Sequence, residues 1–166
     1  MTRQPTDAEY AAYDGMHCNW LWRATPEDWV CPGCGRSKRQ ILVWGTRKGS
    51  NARVYGPVGW KTALHKHHDH GPRDGRDFNG ALGRFPAEII CGACNAVDGN
   101  IKAILKLPVS FSFSPAEIRR LIRAANNAPH QIMWAAVTDI LRELQQAGIL
   151  PASDLPRDIE ASMCSP

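Results

Sequence analysis

Two short cysteine pairs, CPGC at 31–34 and CGAC at 91–94, constrain this chain more than any other feature. Each C-x-x-C turn offers two thiolates from one tight loop, and two such turns supply the four soft ligands that tetrahedral zinc takes. The N-terminus, MTRQPTDAEYAAYDG, carries no apolar leader, so the chain is expected in a reducing, cytoplasmic setting. There the pairing favours metal over disulfides, with redox or free thiols as the competing reading. The segment between the pairs, 35–90, is 56 residues long, much longer than in a compact zinc ribbon. A structural zinc on Cys31, Cys34, Cys91 and Cys94 would therefore staple two distant segments around an inserted element. Cys18 and Cys164 are left over.

The length of 166 residues suits one domain with an appendage, and 43% hydrophobic residues suffice for a core. No apolar run approaches the roughly 18 residues of a membrane helix, so no membrane partner is expected. The net charge of +4 is unevenly spread. Residues 31–107 hold thirteen Lys/Arg against five Asp/Glu, a net +8, whereas residues 1–30 hold two against five, a net −3. That concentration suits a polyanionic partner, nucleic acid first; a solvated basic surface is the bland alternative.

Local signals sketch the elements. TPED at 25–28 reads as a helix start, with Thr25 as N-cap and Pro26 in the first turn. The aromatic residues before it, Tyr10, Tyr13, Trp20 and Trp22, and Trp29 just after it, read as packing. RQILVWGTR reads as a strand that gives way at the polar KGSN, and a second extended segment should run through VYGPVGWKTALHKHHDH. GPRDGRDFNGALGRF is a polar loop, and FPAEII should lead as a strand into the second cysteine pair. NAVDGNIKAILKL reads as a helix with Val97, Ile101, Ile104 and Leu105 on one stripe, ended by Pro108; Gly99 reads as a packing or bending feature. SPAE at 114–117 is a capping box that opens the helix EIRRLIRAA, and a second helix is expected from about Pro129 to Ala147, with Gly148 beyond it.

The stretch HKHHDH puts four of the chain's six histidines into residues 65–70. In a strand His65, His67 and Asp69 would share one face and Lys66, His68 and His70 the other. The glycine and proline at 71–72 put a bend nearby, so the cluster suits the point where a strand becomes a loop. There one imidazole can bind metal while its neighbour serves as a base near neutral pH. Asn95 directly follows the last cysteine of the second pair, and its amide oxygen is a competent ligand for a hard divalent cation.

The order C-x-x-C, histidine cluster, C-x-x-C-N resembles the HNH, or ββα-metal (His-Me finger), endonuclease superfamily, and most closely the recombination endonuclease VII group. The resemblance spans roughly residues 31–105. It implies His68 as general base, His67 and Asn95 as ligands of one catalytic divalent metal, Mg²⁺ or Mn²⁺, and the four cysteines as structural zinc ligands. His65, His70 and Asp69 are implied as supporting residues. His67 stands where that group has aspartate; other HNH enzymes carry paired histidines, and the softer ligand leaves the metal preference open. The reaction implied is hydrolysis of DNA phosphodiesters, with RNA left open. Lys66, Arg73, Arg76 and Arg84 are candidates to grip the backbone, Asp98 and Asn79 minor candidates for the site, and His17 and His130 expected to be structural or exposed.

The expected fold is α+β: a ββα-metal nuclease core stapled by a four-cysteine zinc, with a C-terminal helical hairpin. Residues 1–30 would pack on a nuclease domain of 31–113, followed by the hairpin over 114–150 and a tail over 151–166. The hairpin would bind DNA, form a homodimer or cover the core. The competing function is a noncatalytic, zinc-dependent nucleic-acid-binding module. A second structural zinc on the histidines ranks lower, because four imidazoles in six residues do not readily surround one ion.

Overall fold

The computed structural model describes residues 2–69 and 83–151. The architecture is mixed α+β. The chain opens with α1 (Asp7–Ala11), a 3₁₀ turn (Met16–Cys18) and α2 (Asn19–Ala24). After the first cysteine pair come β1 (Val43–Thr46), α3 (Gly49–Tyr55) and β2 (Val58–Lys61), then β3 (Leu64–His67), β4 (Glu88–Cys91) and α4 (Gly92–Leu105). The C-terminal part is α5 (Pro115–Leu121), a small ribbon of β5 (Ile122–Arg123) and β6 (Gln131–Ile132), and α6 (Trp134–Gln146).

Among the described residues each strand pairs with one neighbour, and all three pairs are antiparallel. In β1–β2, Trp44 lies opposite Trp60 and their rings meet edge to face at 5.2 Å. In β3–β4, Leu64 faces Cys91 and His67 faces Glu88, so the second cysteine pair begins where the hairpin ends. The chain then turns directly into α4. One continuous core joins these parts: Ile41 and Leu42 before β1, Ile90 on β4, Val97, Ile101 and Leu105 on α4, and Phe113, Ile118 and Leu121 around α5. On α6 the buried residues Val137, Ile140, Leu141 and Leu144 repeat at helical spacing, so one face is apolar and packs inward. Tyr10 and Tyr13 meet Trp22 edge to face, joining the N-terminal segment to this core, whereas Trp20 is 69% exposed.

Several expectations hold in detail. Ser114 caps α5 with the reciprocal Ser114–Glu117 bonds of a capping box, Pro115 sits in the first turn, and Gly148 follows α6 with φ +69°. Others are corrected. Thr25 ends α2 rather than starting a helix: its hydroxyl returns to the Leu21 carbonyl at 2.7 Å, and residues after it form a turn. The buried Lys38 ammonium takes the carbonyls of Trp22 and Thr25 at 3.0 and 3.2 Å, so the helix stops there with its acceptors satisfied. KGSN contributes to α3 instead of a simple turn, and the preceding strand is confined to Val43–Thr46. Ile104 lies off the buried stripe of α4, at 43% exposure. The helix expected through Ala125 ends at Leu121, and α6 starts at Trp134 rather than near Pro129. The residues between are drawn across the cysteine cluster, as described below. No helix among the described residues is long and apolar enough to cross a membrane.

Gly99 occupies the interior of α4 with open space where a Cβ would stand, so packing does not require glycine there. Gly99→Ala is expected to raise stability by about 0.5–1 kcal/mol, because alanine loses less backbone freedom on entering a helix. Chemical denaturation checks this; a lower midpoint would show that the site has a steric or functional demand for glycine.

Candidate metal centre and histidine strand

Cys31, Cys34, Cys91 and Cys94 bring their Sγ atoms within 4.8 Å of one another, three of the side chains buried and Cys34 half-buried. The Cys31–Cys94 and Cys34–Cys91 sulfur separations are both 3.8 Å. That is far beyond a disulfide bond, but it matches the edge of about 3.8 Å for a tetrahedron with zinc–sulfur bonds of about 2.3 Å. The donor set therefore fits a structural metal such as zinc. The first pair sits in a turn in which the Gly35 N–H reaches the Cys31 carbonyl at 2.8 Å, with Gly35 at φ +73°. The second pair forms the first turn of α4, and the Cys91 N–H points at Cys31 Sγ at 3.3 Å. Gly33 packs closely on the cluster: a Cβ there would lie 3.0 Å from Cys94 Sγ, tighter than an ordinary contact.

Crowding forces the thiols apart in acidity. Bonding from neighbouring thiols, Cys31 first, lowers the pKa of Cys34 strongly and that of Cys91 to about 5. Two groups outside the cysteine motifs share this electrostatics. Arg36 is 2% exposed, with Nε 3.4 Å from Cys34 Sγ and Nη2 3.8 Å from Cys91 Sγ. His130 sets Nε2 3.3 Å from Cys94 Sγ and 3.1 Å from Arg36 Nη2. Burial works to lower the His130 pKa, but the Cys34 and Cys91 sulfurs outweigh it and the net shift is upward. The sequence reading missed both roles. Arg36 carried a faint signal, two residues past a knuckle with no acid nearby; His130 carried none, because its position depends on the whole C-terminal segment. Arg36 Nη1 also takes the carbonyls of Ala125 and Ala128, each at 2.8 Å, which holds the connection between β5 and β6 across the cluster. This is why α5 ends early and α6 begins late.

Arg36→Met is expected to destabilise the zinc-loaded protein by about 2–4 kcal/mol, since it removes a buried cation from beside the thiolates and the donor to two part-buried carbonyls together. Thermal melting of the zinc-loaded variant checks this; an unchanged midpoint would mean that the guanidinium contributes nothing.

The histidine cluster lies at the end of β3. His67 is 4% exposed, and its Nε2–H donates to the Phe113 carbonyl at 2.7 Å. Its ring stacks on Phe85 at 5.4 Å between centroids. This leaves Nδ1 as its nitrogen for any ligand role. His68, the first residue past the strand, is half-buried, and its Nδ1 donates to the Lys66 carbonyl at 3.2 Å. A carbonyl can only accept, so the bond selects the tautomer with the basic lone pair on Nε2. Asp69 is buried and accepts from the Arg84 and Ser112 backbone N–H groups at 3.0 and 3.2 Å, so it acts as a brace. Asp98, buried on α4, accepts from the Phe113 N–H at 2.8 Å and pairs with Lys102 at 3.5 Å. Thus His67 and Asp98 grip the same residue, and the end of β3 is tied to the second turn of α4 through the strap Ser112–Phe113.

Asn95 is half-buried in the first turn of α4, one residue past Cys94. His65 is half-buried on β3, and burial, then the neighbouring His17, lowers its pKa. Lys66 is exposed. Arg84 is not a free grip for phosphate: it pairs with Glu117 and donates to the Ser112 carbonyl at 2.7 Å. His70, Arg73, Arg76 and Asn79 lie outside the described residues. Among the described residues, the four cysteines are the only group of three or more His, Cys, Asp or Glu side chains arranged to hold an ion.

No protein-family model, curated protein or solved structure matches this chain.

Proposed function

We propose that the chain is a metal-dependent endonuclease of the ββα-metal kind that hydrolyses DNA phosphodiester bonds. The observation that carries this reading is the β3–β4–α4 unit: an antiparallel hairpin with His67 and His68 where β3 runs into the connection, followed at once after β4 by a helix bearing Asn95 in its first turn. The cysteine cluster fastens that helix start to the rest of the chain, and the Phe113 strap links His67 to α4.

The chemistry follows from the side chains. A phosphodiester anion repels an anionic nucleophile, so attack needs a base that works beside negative charge and a positive group that offsets it. His68, with Nδ1–H bound to the Lys66 carbonyl, presents Nε2 to take a proton from water. The water oxygen bonds to phosphorus and the bond to the 3′ oxygen breaks, leaving a 5′-phosphate and a 3′-hydroxyl. His67 Nδ1 and the Asn95 amide oxygen would hold a divalent cation, Mg²⁺ or Mn²⁺, which supplies charge neutralisation at the phosphate. Donation from His67 Nε2 to a backbone carbonyl is the arrangement that orients metal-binding imidazoles, and the Phe85 stack fixes the same ring. The structural metal of the cysteine cluster is read as zinc.

The test is supercoiled plasmid incubated with the zinc-loaded protein and Mg²⁺ or Mn²⁺, beside His68→Ala. Nicking or linearisation by the wild type, with the variant slower by about 10²–10⁴-fold, is the expected result. A folded, zinc-loaded wild type that cleaves neither plasmid, branched DNA nor RNA with either metal would return the chain to the noncatalytic nucleic-acid-binding reading.

A further inference from the structure

A cavity of about 540 Å³ opens between the first hairpin, the 3₁₀ turn and the start of α4, and none of the described residues lining it carries a carboxylate. Ile41, Val43 and Ala63 contribute apolar surface, whereas Arg47, Lys48 and Lys61 bring three cations. His17 and His65 add two imidazoles to the lining. Among the described residues no ion pair neutralises these cations: Arg47 Nη2 is bound to the Trp60 carbonyl at 2.8 Å and Lys61 Nζ to the Thr46 carbonyl at 2.7 Å, and carbonyls remove no charge. Arg47 Nε is buried without a hydrogen-bond partner. Gly92 and Ala93, in the first turn of the 14-residue α4, also line the cavity, so the positive end of that helix adds to the field.

The sequence around the cavity repeats this one-sided charge. Residues 29–68 contain Arg36, Lys38, Arg39, Arg47, Lys48, Arg53, Lys61 and Lys66 and not one Asp or Glu. Uncompensated charge above an apolar floor suits a ligand that is anionic at one end and flat and apolar at the other. The opening has room for a ligand of that size.

We propose that this cavity is a nucleotide-binding site, taking a base against the apolar floor and a phosphate among Lys48, Lys61 and the imidazoles. The nucleotide is either free or part of a strand, and the two sources share this chemistry. The site does not depend on the hydrolytic reading, since it binds without Mg²⁺ or Mn²⁺.

The experiment is an NMR titration of the zinc-loaded full chain with dAMP, no other divalent cation being added. Saturable shifts are expected at the amides of Thr62, Ala63, Gly92 and Ala93, with deoxyadenosine and inorganic phosphate each at least about tenfold weaker. Lys48→Glu, at an exposed side chain, should weaken dAMP binding about threefold or more, and the Lys48→Glu/Lys61→Met pair about tenfold or more, with zinc content retained. A short single strand that shifts these amides where dAMP does not identifies the strand as the source and keeps the site. Three results overturn the proposal: no shift at these amides with any of these ligands, unchanged binding by Lys48→Glu, or equal binding of deoxyadenosine or an acidic peptide. Failure of plasmid cleavage would leave this site standing, and failure of this titration would leave the His68 test unaffected.

Discussion

Cys91→Ser is expected to abolish the folded state at ordinary temperature rather than to weaken it slightly. Cys91 is fully buried, closes the β3–β4 hairpin opposite Leu64 and opens α4, so its loss acts at the junction of three elements. Structural zinc sites contribute about 10–16 kcal/mol of apparent binding free energy, while a domain's total stability is about 5–15 kcal/mol. Removing one of four ligands sacrifices a large part of that and leaves the remaining thiolates buried and mutually repelling. Circular dichroism and zinc content check this: the variant should carry little zinc and show no cooperative melt, and treating the wild type with a strong chelator should give the same spectrum. Cys18→Ser is the control. Cys18 is also buried, but its Sγ bonds the Gly15 carbonyl at 3.0 Å and belongs to no cluster, so serine keeps the bond and costs only about 1 kcal/mol. A Cys91→Ser variant that melts like the Cys18 control would sink the metal reading of the cluster.

The contrast between these cysteines shows what the sequence could disclose. The pairing of knuckles was legible because a two-residue spacing is local and two such spacings complete one tetrahedron. The capping box at Ser114 was legible for the same reason: it needs only neighbours within a few positions. Arg36 and His130 were not, because nothing in an isolated arginine or histidine says which distant sulfur it will meet. Thr25 misled because the same hydroxyl that caps a helix start can return to the carbonyl of the preceding turn, and the choice is made by Lys38, thirteen residues later. The early end of α5 was hidden likewise. Local propensity favours helix through Ala125, but two carbonyls bound to a buried guanidinium outweigh a few tenths of a kcal/mol per residue. At the histidine cluster the sequence singled out the residues proposed to carry chemistry. The strap that orients His67 comes from Phe113, 46 residues away, beyond any local pattern.

That strap sharpens the second large effect, a split between two adjacent histidines. If His68 is the base, His68→Ala removes proton transfer without touching the Phe113 strap. Its cleavage rate should fall by about 10²–10⁴-fold, with the metal concentration for half-maximal rate unchanged and the melting temperature nearly unchanged. His67→Ala should behave differently on every axis. It deletes a buried ring stacked on Phe85 and leaves the Phe113 carbonyl without its donor, a loss of about 2–4 kcal/mol of stability. It would also remove the proposed metal ligand, so the half-maximal metal concentration should rise steeply. His67→Asp separates the two losses: aspartate is a hard ligand that can restore Mg²⁺ use, but it cannot donate to Phe113, so activity at high metal should recover while stability does not. Rates measured across a metal titration, together with melts of the same three variants, resolve the roles. Equal metal dependence in His67→Ala and the wild type would remove His67 from the metal site and leave it a structural brace between β3 and the Phe113 strap.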